Sequence, residues 1–369
     1  MEMNAVSLFS GAMGLDIGLM QAGIKTVLAQ DFDLSCIQTI KANGFKCLEG
    51  DIRNLSVQDV LDASGLNAGD AFLVCGGPPC QPFSTAGPMK GLNDPRGSLF
   101  KDFARMVEGL KPRFFIMENV RGLASLPIAP QSDTTALDIV LMELGRLGYA
   151  TVHGILNAVD YGVPQFRERL VVVGSRDSEP IFLPKPTHFQ KHQSRMCRWQ
   201  TLWDAIGDLE CIDGEGKEFS ASKTETMRLV PEGGNWKDLP PDVQVRAMKG
   251  TLYSEGGRTG CFRRLSYSEP CPTLTTSPDQ KTTTKCHPKF DRPLNVREYA
   301  RVQQFPDDWT FNGKTADKYR QIGNAVPVGL GRALGEMLAS VADGTAEVKC
   351  KKTSRMKQME MKRSVMDFC

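Results

Sequence analysis

Short apolar runs alternate along the first half of the chain with segments whose apolar residues recur every three or four positions. Val6–Phe9, Thr26–Ala29, Phe72–Cys75, Phe114–Met117 and Leu170–Val173 read as strands. Asp16–Ala22, Ser35–Asn43, Leu99–Gly109 and Thr135–Leu147 read as the helices between them. The strand runs are continuously apolar rather than alternating, so both of their faces are predicted to be covered. Strand–helix alternation with short turns predicts an α/β fold with a doubly wound, mainly parallel sheet. After about Phe182 the periodicity weakens, and Pro, Gly, Thr and charge take over as far as Leu294. That stretch carries Trp199, Trp203 and Trp236 and predicts a second, smaller domain with irregular structure. Helical patterns return over Val296–Gln304 and Gly329–Val341. The predicted layout is therefore residues 1–182, an insertion at 183–293, completing helices at 294–345 and a basic tail at 346–369.

Composition narrows the class. With 369 residues, 41% hydrophobic and 24% charged, the chain matches a soluble two-domain protein. It has no apolar run of membrane-spanning length, and Met1-Glu2-Met3-Asn4 lacks a signal-peptide pattern. Eleven cysteines without a Cys-x-x-Cys pair argue against a disulfide framework or zinc knuckle, so no metal site and a reducing, cytoplasmic setting are expected. The net charge of +2 excludes a generic polycation. A nucleic-acid partner would need local clusters, and Lys185–Arg198 (Lys191, Arg195, Arg198) and the tail (Lys349, Lys351, Lys352, Arg355, Lys357, Lys362, Arg363) offer them. The tail reads equally as a solvated end.

Candidate chemistry lies at the strand ends. Phe9-Ser10-Gly11-Ala12-Met13-Gly14 joins the first strand to the first helix, and Asp31 ends the second strand. Glycines admit a ligand close to the backbone, and a carboxylate at this position suits ribose hydroxyls. Gly-x-x-Gly lacks the second glycine of the Gly-x-Gly-x-x-Gly dinucleotide pattern, which favours a smaller nucleoside over a nicotinamide cofactor. Gly76-Gly77-Pro78-Pro79-Cys80-Gln81-Pro82-Phe83-Ser84 follows another strand. Prolines stiffen the backbone around Cys80, as a nucleophile requires, whereas Cys75 inside the apolar run reads as core. Glu118-Asn119-Val120 follows a third strand, where an acid sits on the ligand side of an open sheet or merely caps a surface turn. In Gln165-Phe166-Arg167-Glu168-Arg169, alternation puts both arginines on one side, either to lower a thiol pKa or as surface ion-pair partners. Thr85–Leu99 is glycine-rich without an apolar period and reads as a mobile loop carrying Lys90 and Arg96.

The Pro-Cys-Gln, Glu-Asn-Val and Gln-x-Arg-x-Arg segments, with Gly323-Asn324-Ala325-Val326-Pro327, resemble the cytosine-5 DNA methyltransferases in that family's order, from Val6 to about Leu338. The resemblance implies S-adenosylmethionine as cofactor and S-adenosylhomocysteine as product. Phe9 and Phe32 would flank the adenine, Asp31 hold the ribose, and Asp51 and Ile52 meet the adenine edge. Gly11, Gly14, Pro79, Asn324 and Val326 would complete the pocket. Cys80 would be the nucleophile, Glu118 the acid at ring nitrogen 3, Arg169 the partner of the base and Arg167 an organiser. Gln81, Ser84, Lys90, Arg96, Arg263, Arg264 and Thr275 would contact double-stranded DNA, and the insertion would read the target. The resemblance further implies a monomeric bacterial or phage modification enzyme that flips its target base, with a possible restriction endonuclease as companion. One branch of the family methylates transfer RNA and typically carries Cys-Phe-Thr, where this chain has Cys261-Phe262-Arg263. A catalytically silent DNA-binding relative would not need Cys80, Glu118 and Arg169 together.

Overall fold

The computed structural model describes residues 2–79, 99–128, 132–190, 197–209, 214–248, 259–280 and 282–345. The first part of the chain runs β1 (Asn4–Leu8), α1 (Gly14–Gln21), β2 (Lys25–Asp31), α2 (Leu34–Ala42), β3 (Cys47–Glu49), α3 (Val57–Ser64), β4 (Leu73–Gly76), α4 (Leu99–Leu110), β5 (Phe114–Val120), α5 (Ala136–Arg146), β6 (Ala150–Asn157), β7 (Gln165–Phe166) and β8 (Glu168–Ser175). A 7-stranded sheet forms in the order β3-β2-β1-β4-β5-β8-β6. All neighbouring pairs from β3 to β5 are parallel, whereas β8 runs antiparallel to both β5 and β6. The mainly parallel expectation therefore holds, with one reversed strand. The chain moves outward from β1 to β3 and then returns to lay β4 on β1's other side, which opens a crevice at the carboxyl ends of β1 and β4.

Alternate residues of the strands feed two cores. Val6, Leu8, Val74, Phe115, Met117 and Val172 face α4 and α5, where Phe103, Val107 and Val140 meet them. Ala5, Leu73, Cys75, Phe114, Ile116 and Val173 face the opposite way, onto Leu15 and Leu19 of α1. That second face is closed by Leu330, Leu334 and Leu338 of the helix at Val328–Ala342. Burial on both faces is why these strands read as unbroken apolar runs.

The remainder contains β9 (His188–Phe189), β10 (Cys197–Arg198), α6 (Leu202–Ile206), α7 (Ala221–Arg228), α8 (Pro241–Met248), β11 (Cys271–Pro272), α9 (Val296–Val302), α10 (Thr315–Asn324) and α11 (Val328–Ala342). The described residues of 183–293 thus include short helices that the composition did not announce. Part of it, α6, packs with α9 and α10. Another part, α7 and α8, surrounds a small core of its own built on Phe219, Met227, Val243 and Cys286.

α1 and α11 pack through glycines. A Cβ on Gly18 would lie 2.2 Å from the Val328 carbonyl oxygen and 2.4 Å from the Arg332 nitrogen, and one on Gly331 would lie 2.6 Å from the Leu15 oxygen. These neighbours are backbone and cannot swing aside. Gly18→Ala is therefore expected to destabilise the protein by about 1–3 kcal/mol, despite alanine's better helix propensity. Gly145→Ala, on an open helix surface with nothing within 4 Å, is expected to be neutral or mildly stabilising. Thermal unfolding of the pair checks the contrast.

Candidate active site

The turn after β1 is wound in the left-handed region, with φ of 54° at Phe9, 54° at Gly11 and 65° at Met13. Two of these are not glycine, which marks stored strain at a ligand-facing turn. The turn is tethered to β2. The Gly11 N–H donates to Asp31 Oδ2 at 2.8 Å, and the Asp33 N–H donates to Oδ1 at 2.9 Å. Burial raises the Asp31 pKa above the usual carboxylate value, against the pull of these N–H donors. Each oxygen keeps a lone pair for a further donor. Gln30 locks the same turn, donating to the Gly50 carbonyl at 2.6 Å and accepting from the Phe9 N–H at 3.3 Å.

Phe32 is 66% exposed, an unusual state for a phenylalanine beside a cavity. With Phe9, Ile52 and Pro79 it lines a recess of about 180 Å³ whose polar edge is Asp51, itself ion-paired to Arg53. This flat apolar slot suits an aromatic heterocycle. It adjoins a cavity of about 500 Å³ lined by Gly11, Gly14, Asp31, Glu118, Asn324 and Val326, among others. Asn324 is exposed, and its amide has no hydrogen-bond partner among the described residues. Beside the cavity, Asp33 caps α2 through the Ser35 N–H at 3.0 Å and pairs with Arg320 at 2.6 Å, joining the β2 end to α10.

The same cavity takes in the ends of β4 and β5. Glu118 belongs to β5 rather than following it, paired with Val171 of β8. It is 8% exposed and its Oε1 lies 2.6 Å from Arg169 Nε. Burial raises the Glu118 pKa; Arg169 and Arg167 oppose this without cancelling it. A carboxyl so held keeps its proton to higher pH than an ordinary glutamate. A Cβ on Gly77 would approach Glu118 Oε2 to 2.9 Å and displace the carboxyl from its place against Arg169. Asn119 Nδ2 donates to the Pro78 carbonyl at 2.9 Å, which pins the Pro-Pro step to β5. Pro79 lines both recesses, and Cys80 follows it by one peptide bond. Cys75 is fully buried in β4, and burial pushes its thiol well up, the state of an inert core cysteine.

Arg167 is fully buried and donates to three backbone carbonyls: Leu274 at 3.0 Å, Gly323 at 2.7 Å and Ala325 at 3.0 Å. Burial, then Arg169, pushes its pKa down to about 9, and it stays charged at neutral pH. Its three carbonyl partners make it a positioning residue that holds the Asn324 lip. Sequence reading missed Asn119, Gln30, Asp33 and Arg320. Only Asn119 had a local signal, its place beside Glu118.

Cys80, Gln81, Ser84, Lys90 and Arg96 lie outside the described residues, as do Lys191, Arg195 and the basic tail. One expected DNA contact is corrected. Arg264 is buried, and its guanidinium is spent on the carbonyls of Val230 and Met227 at 2.8 and 2.6 Å and on Asp291 at 2.6 Å. It braces the small core and has no donor left for DNA. Thr275 donates its hydroxyl to the Ser277 carbonyl at 2.7 Å. Its own carbonyl accepts from Tyr299 at 2.9 Å and lies where a Cβ on Gly323 would meet it at 2.2 Å.

The family profile described as C-5 cytosine-specific DNA methylase matches residues 3–340. The chain belongs to that family. This methylase is 41% identical to the Type II methyltransferase M.PspPI of Psychrobacter sp. (strain TA137), over 90% of this chain and 78% of that one. It is 39% identical to M.Eco47II of Escherichia coli, over 92% and 79%. A crystal structure of a protein encoded within an Escherichia coli prophage superposes with a TM-score of 0.66 and 24% identity, over 92% of this methylase and 99% of that chain, and speaks for the fold. The protein is accordingly a DNA cytosine-5 methyltransferase, and membership implies S-adenosylmethionine-dependent transfer. The apolar slot beside Phe32, the free acceptor sites of Asp31 and the open space beside Gly11 fit that cofactor. Among the described residues no helix is long and apolar enough to cross a membrane.

Proposed function

We propose that this methylase modifies a specific double-stranded DNA sequence as the protective arm of a restriction–modification system, through a covalent adduct of Cys80 with a flipped-out cytosine. One observation carries the reading. A buried, arginine-paired carboxyl with a raised pKa lines a cavity that adjoins a flat apolar slot, and Pro79, which lines both, stands one peptide bond from Cys80. A cytosine stacked in a duplex hides its face, so it has to leave the helix to meet a nucleophile. The Cys80 thiolate forms a bond to carbon 6. Glu118 shares or gives a proton at nitrogen 3, which draws electron density from the ring and makes that addition feasible. Arg169 holds the Glu118 carboxyl at 2.6 Å and lines the cavity where the base carbonyl would lie. S-adenosylmethionine held in the adjoining pocket would supply an electrophilic methyl group for carbon 5. The methylated carbon 5 would then lose its proton to a base, Glu118 would take back the proton at nitrogen 3, and the Cys80–carbon 6 bond would break as the ring double bond reforms.

Residues 183–293 are the natural reader of the target, since every assignment to chemistry or cofactor apart from Arg167's backbone contact lies outside them. Arg263 and Thr275 within that span, with Gln81, Ser84, Lys90 and Arg96 on the Cys80 loop, are the DNA contacts of this reading. Its Type II relatives support the restriction–modification setting. Sequencing 5-methylcytosine in DNA, and separately in RNA, after incubation with protein and cofactor is the test. One recurrent DNA motif is expected; methylation confined to RNA would overturn the reading.

Asp31→Ala is expected to weaken S-adenosylmethionine binding at least about tenfold. Each charge-assisted bond to ribose is worth roughly 1.5–3 kcal/mol, and the Gly11 turn loses its tether as well. Isothermal titration measures it, and an unchanged dissociation constant would remove Asp31 from the site.

A further inference from the structure

Lys285 is 4% exposed, and its side-chain ammonium has no hydrogen-bond or ion-pair partner among the described residues. Lysine is almost never buried this deeply unless paired. Its setting follows from the backbone. Arg264 and Cys286 face each other in a parallel bridge, with the Cys286 N–H bonded to the Arg263 carbonyl at 3.1 Å. The side chains of Arg264 and Cys286 turn into the small core around Met227 and Val230. Thr284, on the same side as Cys286, meets Lys223 at 3.0 Å. Alternation therefore sends Arg263 and Lys285 to the opposite side, as cross-strand neighbours. The Arg263 guanidinium also has no partner among the described residues, and its Nε is buried and unsatisfied. Burial lowers the Lys285 ammonium pKa, and Arg263 adds to this.

Like charges side by side are unfavourable, and an unpaired buried cation more so. No carboxylate compensates this pair among the described residues. An anion would complement the pair. The Lys285 N–H donates to the Pro278 carbonyl at 2.7 Å, in the segment that follows Leu274, whose carbonyl Arg167 holds. The cations thus stand next to a segment tied directly to the catalytic cavity.

We infer that Arg263 and Lys285 together seat one phosphate of the DNA backbone, fixing the register of the duplex against the active site without reading sequence. This rests on the duplex-DNA reading above. A forked guanidinium and an ammonium on one face suit a tetrahedral oxyanion, and a phosphate contact positions rather than specifies.

The test is Lys285→Met, which keeps the apolar stem, with Lys285→Arg and Arg263→Met alongside, measured as dissociation constants for target and scrambled duplexes across a salt series. For Lys285→Met, both constants are expected to rise by the same factor. The slope of log affinity against log salt should become shallower by about 0.9, while Lys285→Arg keeps the wild-type slope. S-adenosylmethionine affinity should not change, and the melting temperature of free Lys285→Met should hold or rise, since an unpaired buried charge is gone. An unchanged slope in both methionine variants overturns the seat, as does a change confined to the target duplex, which would mean base reading. A lower melting temperature also overturns it, since Lys285 would then brace the fold. A wild-type protein without affinity for any duplex takes down the DNA reading and the seat together.

Discussion

Cys80→Ala is expected to abolish methyl transfer and leave S-adenosylmethionine affinity unchanged. Deleting the nucleophile of a covalent enzyme removes activity on the order of 10⁶-fold, because the rest of the site is arranged around an adduct that can no longer form. The cofactor contacts proposed above lie on other elements: the turn at Phe9–Gly14, the end of β2 at Asp31 and Phe32, and the Asn324 lip that Arg167 holds through Gly323 and Ala325. Isothermal titration gives the affinity, and tritium transfer from labelled cofactor to DNA gives the activity. Substantial transfer by the alanine variant would end the covalent mechanism. Lost cofactor binding would mean that the thiol belongs to the cofactor pocket.

Glu118→Gln is expected to lower kcat by about 10²–10⁴, the range for losing a positioned proton donor. Glutamine keeps the size and a hydrogen bond but cannot give up a proton. The pH profile carries the finer information. Burial raises the Glu118 pKa, so the protonated form persists to higher pH than in an ordinary glutamate and is lost as pH rises through that raised value. The wild-type enzyme should therefore lose activity along an alkaline limb that Glu118→Gln lacks. Retention of that limb in the variant would assign it to another group and remove Glu118 as the acid. Stability moves in a related sense. The folded state binds this proton more tightly than the unfolded chain, so Glu118's contribution to stability falls as pH rises from the unfolded value of about 4.3 to the raised one. The variant also leaves Arg169 without its carboxylate, and thermal unfolding measured beside the kinetics separates a weakened fold from weakened chemistry.

The elements that could be read in the sequence were those with two covered faces or a strong local motif. β1, β2, β4 and β5 announced themselves as apolar runs because both sides of each strand lie in a core. β6 did not: it is the sheet's edge, largely exposed, and its residues Thr151, His153 and Gly154 carry no apolar pattern. The three-residue β3 was too short to show a period, and α10 gave no clear helical signal despite its length. The reversal of β8 had no local signature either, since an antiparallel central strand and a parallel one are equally apolar.

By itself, the sequence determined the alternating α/β plan, the ends of β1, β2, β4 and β5 as the chemical face, and the pairing of Cys80 with Glu118 as candidates. Those features depend on residues close together in the chain, where period and motif are visible. Tertiary structure alone decided what each arginine does. Arg167 and Arg169 are two residues apart, yet one is consumed by carbonyls more than a hundred residues away and the other by the Glu118 carboxylate. Arg263 and Arg264 are adjacent, yet alternation gives one a core of carbonyls and the other an unmatched lysine. A charged side chain's role is set by which distant groups desolvate and neutralise it. That balance exists only once the chain has brought them together.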